Sequence, residues 1–148
     1  MLTQIMIGFL WTCLTVGISV GFIIALDKML DPTIHFFQKT NPILRDWTLL
    51  MISVSWMMLG IVVIVFVWAS LFWVLGIFET LEAANYFSFI SITTLGFGDI
   101  LLPDPWRLLS GFVAADGFII FGLYTAALFD ILSRLRAINK IKSEPRPH

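Results

Sequence analysis

The sequence predicts an all-α membrane protein, with three transmembrane helices and a re-entrant segment between the second and third. Three observations carry this prediction. Its 148 residues are 59% apolar and only 13% charged, with a mean hydropathy of +0.94, whereas soluble domains average about half apolar and a quarter charged. A short chain keeps much of its surface exposed, so this apolar excess does not fit inside a core of its own. The apolar residues also fall in uncharged runs long enough to cross roughly 30 Å of hydrocarbon. Finally, Glu79 to Pro105, between two such runs, is too short and too polar at its ends to span, so it dips or loops. The net charge of −1 gives no electrostatic basis for nucleic-acid binding. The lone Cys13 lies in an apolar run and offers neither a disulfide nor a metal-ligand spacing. No Ser/His/Asp set, metal cluster or phosphate-binding loop points to an enzyme, and no cofactor is implied.

The first element is Ile5 to Leu26, 22 residues without a charge. A cleaved leader would carry a basic start, a shorter apolar core and a small-residue cleavage site. Here uncharged Met-Leu-Thr-Gln precedes the run and Asp27 and Lys28 follow it, so residues 1–26 are read as a retained N-terminal transmembrane helix. Residues 27–47 form a connector. Within it Thr33 to Lys39, bounded by Pro32 and Pro42, reads either as a short interfacial helix resting on Ile34, Phe36 and Phe37 or as an ordered loop. His35 there is either a pH-responsive group or an ordinary surface residue.

Thr48 to Phe78 is an uncharged run of 31 residues, more than the roughly 20 needed to span, so this helix should tilt or project. The third spanning helix, 106–139, is interrupted by Arg107, Asp116 and Asp130. The tail, 140–148, carries Pro145 and Pro147 and is expected to be disordered from Ser143. Eight of the nine Lys and Arg residues fall on one side of these spans, Arg107 being the exception. The positive-inside rule then gives a multi-pass cell-membrane protein with its N-terminus outside, its C-terminus cytoplasmic and the Glu79–Pro105 segment facing outward. Trp47, Trp73 and Trp106 stand near the interfaces, as an aromatic belt requires.

Between the last two spans, residues 82–93 contain neither Gly nor Pro and make about three helical turns, with Glu79 and Glu82 near the start where the helix dipole favours negative charge. Thr94-Leu95-Gly96-Phe97-Gly98-Asp99 follows. Glycine tolerates positive φ, so a Gly-x-Gly pair lets successive carbonyls turn to one side of an extended strand. A ring of such strands presents oxygens that can replace an ion's hydration shell, and Thr94 adds a hydroxyl.

These six residues resemble the potassium-channel pore signature, Thr-x-Gly-(Tyr/Phe)-Gly-Asp. The likeness covers about Thr48 to Arg136, and Gly117 to Leu128 is similar to the inner helix of simple bacterial potassium channels. The first helix lies outside it. The resemblance implies a pore domain over 48–139: outer helix 48–78, pore helix 82–93, selectivity filter 94–99 and inner helix 106–139. It implies a homotetramer embedded in lipid, four equivalent strands being needed around the axis, with K⁺ as permeant ion on the carbonyls of Thr94, Leu95, Gly96 and Phe97 and on the Thr94 hydroxyl. It places a gating hinge at Gly117 and cavity-lining residues at Phe118, Phe121 and Thr125. Alternatives are a weakly selective cation channel and a non-conducting regulatory membrane subunit.

Two residues depart from the family's pattern. Phe97 replaces the commoner tyrosine, removing a hydroxyl that can tie the filter to the pore helix. Ile90 occupies a position behind the filter where some relatives carry glutamate. Asp99 at the outer mouth is expected to buttress the filter or attract cations. With Glu79, Glu82 and Asp104 it forms either an acidic vestibule or a solvated rim.

A carboxylate at the centre of a spanning helix costs about 2.5–3.5 kcal/mol on insertion scales, which makes Asp116 the unusual residue. Thr125 lies about 180° round the helix from it. If Phe118, Phe121 and Thr125 line a cavity, Asp116 faces away, and it is expected behind the filter on a pore-helix hydroxyl such as Ser88 or Ser91. Asp130 and Arg134 form either an i,i+4 pair or a charge at an inner gate. No helix repeats Arg or Lys at every third position, so no voltage sensor of the usual kind is expected.

Overall fold

The computed structural model describes residues 1–36 and 41–143. The described residues form four α-helices and one short 3₁₀ turn: α1 (Leu2–Phe36), α2 (Pro42–Val74), α3 (Leu81–Ile92), the 3₁₀ turn Asp104–Trp106, and α4 (Arg107–Ser143). Among the described residues there is no strand. Three helical stretches, Leu2–Leu30, Pro42–Val74 and Asp104–Lys140, are long and apolar enough to cross a membrane.

The helices outrun the uncharged segments that announced them. α1 continues through Asp27, Lys28 and Pro32 to Phe36, so most of the expected connector is helix rather than loop or a separate interfacial element. Residues 37–40, the remainder of that element, and the tail beyond Ser143 lie outside the described residues. α2 starts at Pro42 instead of Thr48. Asn41 caps it, its side chain accepting from the Ile43 N–H at 3.1 Å, and Pro42 at the first helical position loses no hydrogen bond.

Charge within this first turn is tolerated because it is paired. Arg45 is 1% exposed and donates to Asp46 Oδ1 and Asn139 Oδ1, while Asn139 donates back to Asp46 Oδ2 at 2.7 Å. This closed set fastens the start of α2 to the end of α4. The other end of α2 is four residues short of Phe78. Gly76 has φ +66°, with the Gly76 N–H donating to Trp73 O and the Ile77 N–H to Phe72 O, a glycine-terminated helix cap.

Paired contacts fix the packing directions. Trp11 Nε1 donates to Val67 O and Trp56 Nε1 to Phe22 O, so α1 and α2 run antiparallel. Gln4 Nε2 donates to Pro105 O, and Arg134 pairs with Asp27 at 2.9 Å, so α1 and α4 run parallel with α1 beside α4 over its length. Arg134 also reaches Asp130 at 2.8 Å, the expected i,i+4 pair. Trp68, Phe72, Phe78 and Phe87 form an aromatic cluster with centroid separations of 5.4–6.1 Å, seating α3 against α2. α3 therefore sits in a cleft bounded by α2 and α4, at the end of the bundle that also carries the N-terminus.

Helix α4 passes unbroken through Gly117, the expected hinge. The residue is buried against the C-terminus of α3, and a Cβ added there would overlap the Ile92 carbonyl oxygen. Glycine is required at 117 for close approach of two helices. Gly117→Ala should therefore lower the stability of the purified protein in detergent by about 1–3 kcal/mol, the usual cost of overpacking. Gly122→Ala, where an added Cβ meets nothing within 4 Å, should leave the thermal midpoint unchanged or higher. Equal effects of the two substitutions would contradict this packing.

Candidate functional site

The segment after α3 is built from the helix cap outward. Thr80 starts α3 by accepting from the Ala83 N–H at 3.2 Å, and Glu82 lies in the first turn. At the other end the Thr94 N–H donates to Ser91 O and the Leu95 N–H to Ile90 O, both at 2.9 Å. This is the same cap that ends α2, with Thr94 where α2 has Gly76. Thr94 has φ +56° and is the one non-glycine residue with positive φ among the described residues. A β-branched residue there costs roughly 1–2 kcal/mol relative to its preferred conformation. Glycine would meet the backbone requirement without strain.

Gly96 (φ +48°) and Gly98 (φ +76°) continue the pattern, while Leu95 and Phe97 between them have negative φ. A run whose φ alternates in sign can turn successive N–H groups to one side. The N–H side is visible: Leu95 and Gly96 both donate to the Ile90 carbonyl, at 2.9 and 3.1 Å. Thr94, Leu95, Gly96, Phe97, Gly98 and Asp99 are thus brought together as one irregular strand anchored on a helix C-terminus. Ile90, buried behind it, contributes its carbonyl as the anchor rather than a side-chain polar group.

At the far end the Tyr86 hydroxyl donates to Asp99 Oδ2 at 2.6 Å. The hydroxyl absent at Phe97 is supplied from α3 itself. Sequence reasoning missed this tie; its signal was the tyrosine in the second turn of α3, thirteen residues before Asp99. The hydrogen bond from Tyr86 holds the Asp99 carboxyl below the ordinary carboxylate range, and the same bond raises the Tyr86 phenol. Asp104 is paired with Arg107 at 2.8 Å, both largely exposed.

Asp116 is fully buried, but not on the predicted partners. Its Oδ2 accepts from Thr15 Oγ1 of α1 and from Trp68 Nε1 of α2, each at 2.7 Å. Ser88 instead donates within its own helix, to Ala84 O. The correction follows from helix geometry: successive residues are about 100° apart, so with Gly117 against α3, Asp116 faces α1 and α2. The predicted opposition to the other face holds: Phe118 is 70% exposed and Thr125 is exposed, with Phe121 half-buried. Between Ile90, Ser91, Thr94, Gly96, Gly98 and α4 lies a cavity of about 270 Å³.

Comparison with known proteins gives one family. A family model described as "Ion channel" matches residues 60–134, half of the chain, from mid-α2 through α3 and the irregular strand to the last third of α4. No curated protein and no solved structure matches the chain significantly.

The Tyr86–Asp99 bond makes a signed prediction. A carboxylate held low in the folded state adds stability that is complete above the unfolded aspartate value, about 3.9, and is lost as pH falls through the lower folded value. Tyr86→Phe should therefore lower the thermal midpoint at neutral pH. Below about pH 4 the gap from the unmodified protein should narrow. A gap equally wide in strong acid would assign the loss to packing.

Proposed function

The chain belongs to an ion-channel family built on two transmembrane helices and a pore loop, and from that premise we propose that it is a potassium-selective channel subunit. The observation that carries the reading is the alternation of positive and negative φ from Thr94 to Gly98 with the N–H groups spent on Ile90. Such a strand offers the carbonyls of Thr94, Leu95, Gly96 and Phe97 as a column of ligands for dehydrated K⁺, with the Thr94 hydroxyl at its inner end. A K⁺ ion that leaves water for carbonyl oxygens needs about as many oxygens as it gives up, and one strand supplies too few. Four subunits around an axis complete the shell. In a single subunit Leu95 is 59% and Phe97 66% exposed, apolar surface that a fourfold assembly would cover.

Below the filter, Phe118, Phe121 and Thr125 would line a central cavity toward which the α3 C-termini direct their negative dipole ends. The N-terminus and the α3 end of the bundle lie outside and the basic C-terminal end lies in the cytoplasm, a reading supported by the distribution of Lys and Arg. Asp99, held by Tyr86, buttresses the outer end.

The test is ion flux into liposomes containing the purified full chain alone. Rb⁺ and K⁺ should enter while Na⁺ uptake stays at background. Na⁺ entry comparable to K⁺ would instead indicate a weakly selective cation channel, and no flux of any cation a non-conducting subunit. Gly96→Ala, which forces a side chain onto φ +48°, should abolish flux. Thr94→Gly separates strain from function: relief of roughly 1–2 kcal/mol should hold or raise the thermal midpoint, while K⁺ over Na⁺ discrimination falls.

A further inference from the structure

The family match begins at Gly60 and leaves α1 without a role. Yet α1 bonds repeatedly to the matched region: Trp11 to Val67, Gln4 to Pro105 and Thr15 to Asp116. Gly8 lies so close to the Phe112 ring that a Cβ there would collide with it. We propose that Asp116 is a positioning residue for the ion-conducting strand, and that α1 takes part in conduction by holding Asp116 through Thr15. This inference rests on the potassium-channel reading.

The chain of contacts is short. Thr15 and Trp68 donate to the same oxygen of Asp116, one from each helix flanking α4, and this fixes the rotation of α4 at mid-membrane. The next residue, Gly117, abuts the Ile92 carbonyl at the end of α3, with room only for hydrogen at its Cα. Two residues beyond Ile92 stands Thr94, strained at φ +56° and bonded back to Ser91. A small rotation of α4 would therefore press on the α3 C-terminus or withdraw from it, just where the ligating strand begins. Interhelical docking alone does not call for a buried carboxylate, which is expensive in hydrocarbon. Its two converging donors give α4 a single angular setting, and its other oxygen, Oδ1, has no partner within the described chain.

The experiment measures K⁺ and Na⁺ flux in liposomes for the full chain, three single variants and one double variant, each normalised to folded protein. Thr15→Val keeps the side-chain shape and removes the donor. It should lower the K⁺/Na⁺ flux ratio about fivefold, the lower end of coupling between distinct sites, with little loss of folded protein. Asp116→Leu should lower the ratio at least as far, and adding Thr15→Val to it should cause no further loss. Asp116→Asn keeps an oxygen that accepts both bonds and should restore the ratio. If the unmodified chain is selective and Thr15→Val leaves the ratio unchanged, α1 only packs and the inference is overturned, whether or not the Leu variant folds. An Asn variant as impaired as the Leu variant would also overturn it, because charge rather than geometry would then matter. Absence of selective flux in the unmodified chain would remove the potassium-channel reading first, and this inference with it.

Discussion

A backbone that enters hydrocarbon must satisfy its own polar groups, and each one left unpaired costs several kcal/mol. That constraint organises this chain. Three long helices meet it through their internal hydrogen bonds, which is why α1 and α2 run on past the apolar segments that predict them. The strand after α3 meets it only by half. Its first N–H groups fold back onto Ser91 and Ile90, and its carbonyls remain to be satisfied by something else. On the proposed reading that something is a dehydrated cation shared among four subunits. The strain at Thr94 follows from the same arrangement, since a helix cap that normally takes glycine has been given a residue with a hydroxyl.

Around this strand the polar groups of the bundle are placed at three levels. Tyr86 and Asp99 close the outer end. Asp116 gathers α1 and α2 onto α4 at the middle. At the far end two sets hold α4, one of Arg45, Asp46 and Asn139 from α2 and the other of Asp27 and Arg134 from α1. In lipid, apolar contact does not by itself drive helices together, so interhelical hydrogen bonds and close packing at small residues determine how they sit. Gly8 against Phe112 and Gly117 against Ile92 supply the close packing.

The spans, the short helix and the Gly-x-Gly strand were legible in the sequence because each follows from local pattern: run length, absence of Gly and Pro, and glycine spacing. Boundaries were less so. Arg45 and Asp46 read as the end of a span because a charge is costly in lipid unless paired, and the pairing with Asn139 is ninety-four residues distant. Gly76, by contrast, did carry a readable signal, a glycine just past an apolar helix. The partner of Asp116 was not legible. Helical periodicity correctly set it opposite Thr125, but which neighbours occupy that face depends on how α1 docks, and a nearly all-apolar helix has no one face that announces its partner. Thr15 is one of three hydroxyls in the middle of that span, with Thr12 and Ser19, and nothing local singles it out.

On the proposed reading the carbonyls from Thr94 to Phe97 ligate the permeant ion. The most direct measurement is anomalous diffraction from crystals of the purified channel grown in Rb⁺. A row of Rb⁺ peaks on a fourfold axis, ringed by those carbonyl oxygens and the Thr94 hydroxyl, is the predicted result. A symmetric assembly whose axis at these residues is empty of Rb⁺, or whose carbonyls point away from it, would rule out ligation by this segment.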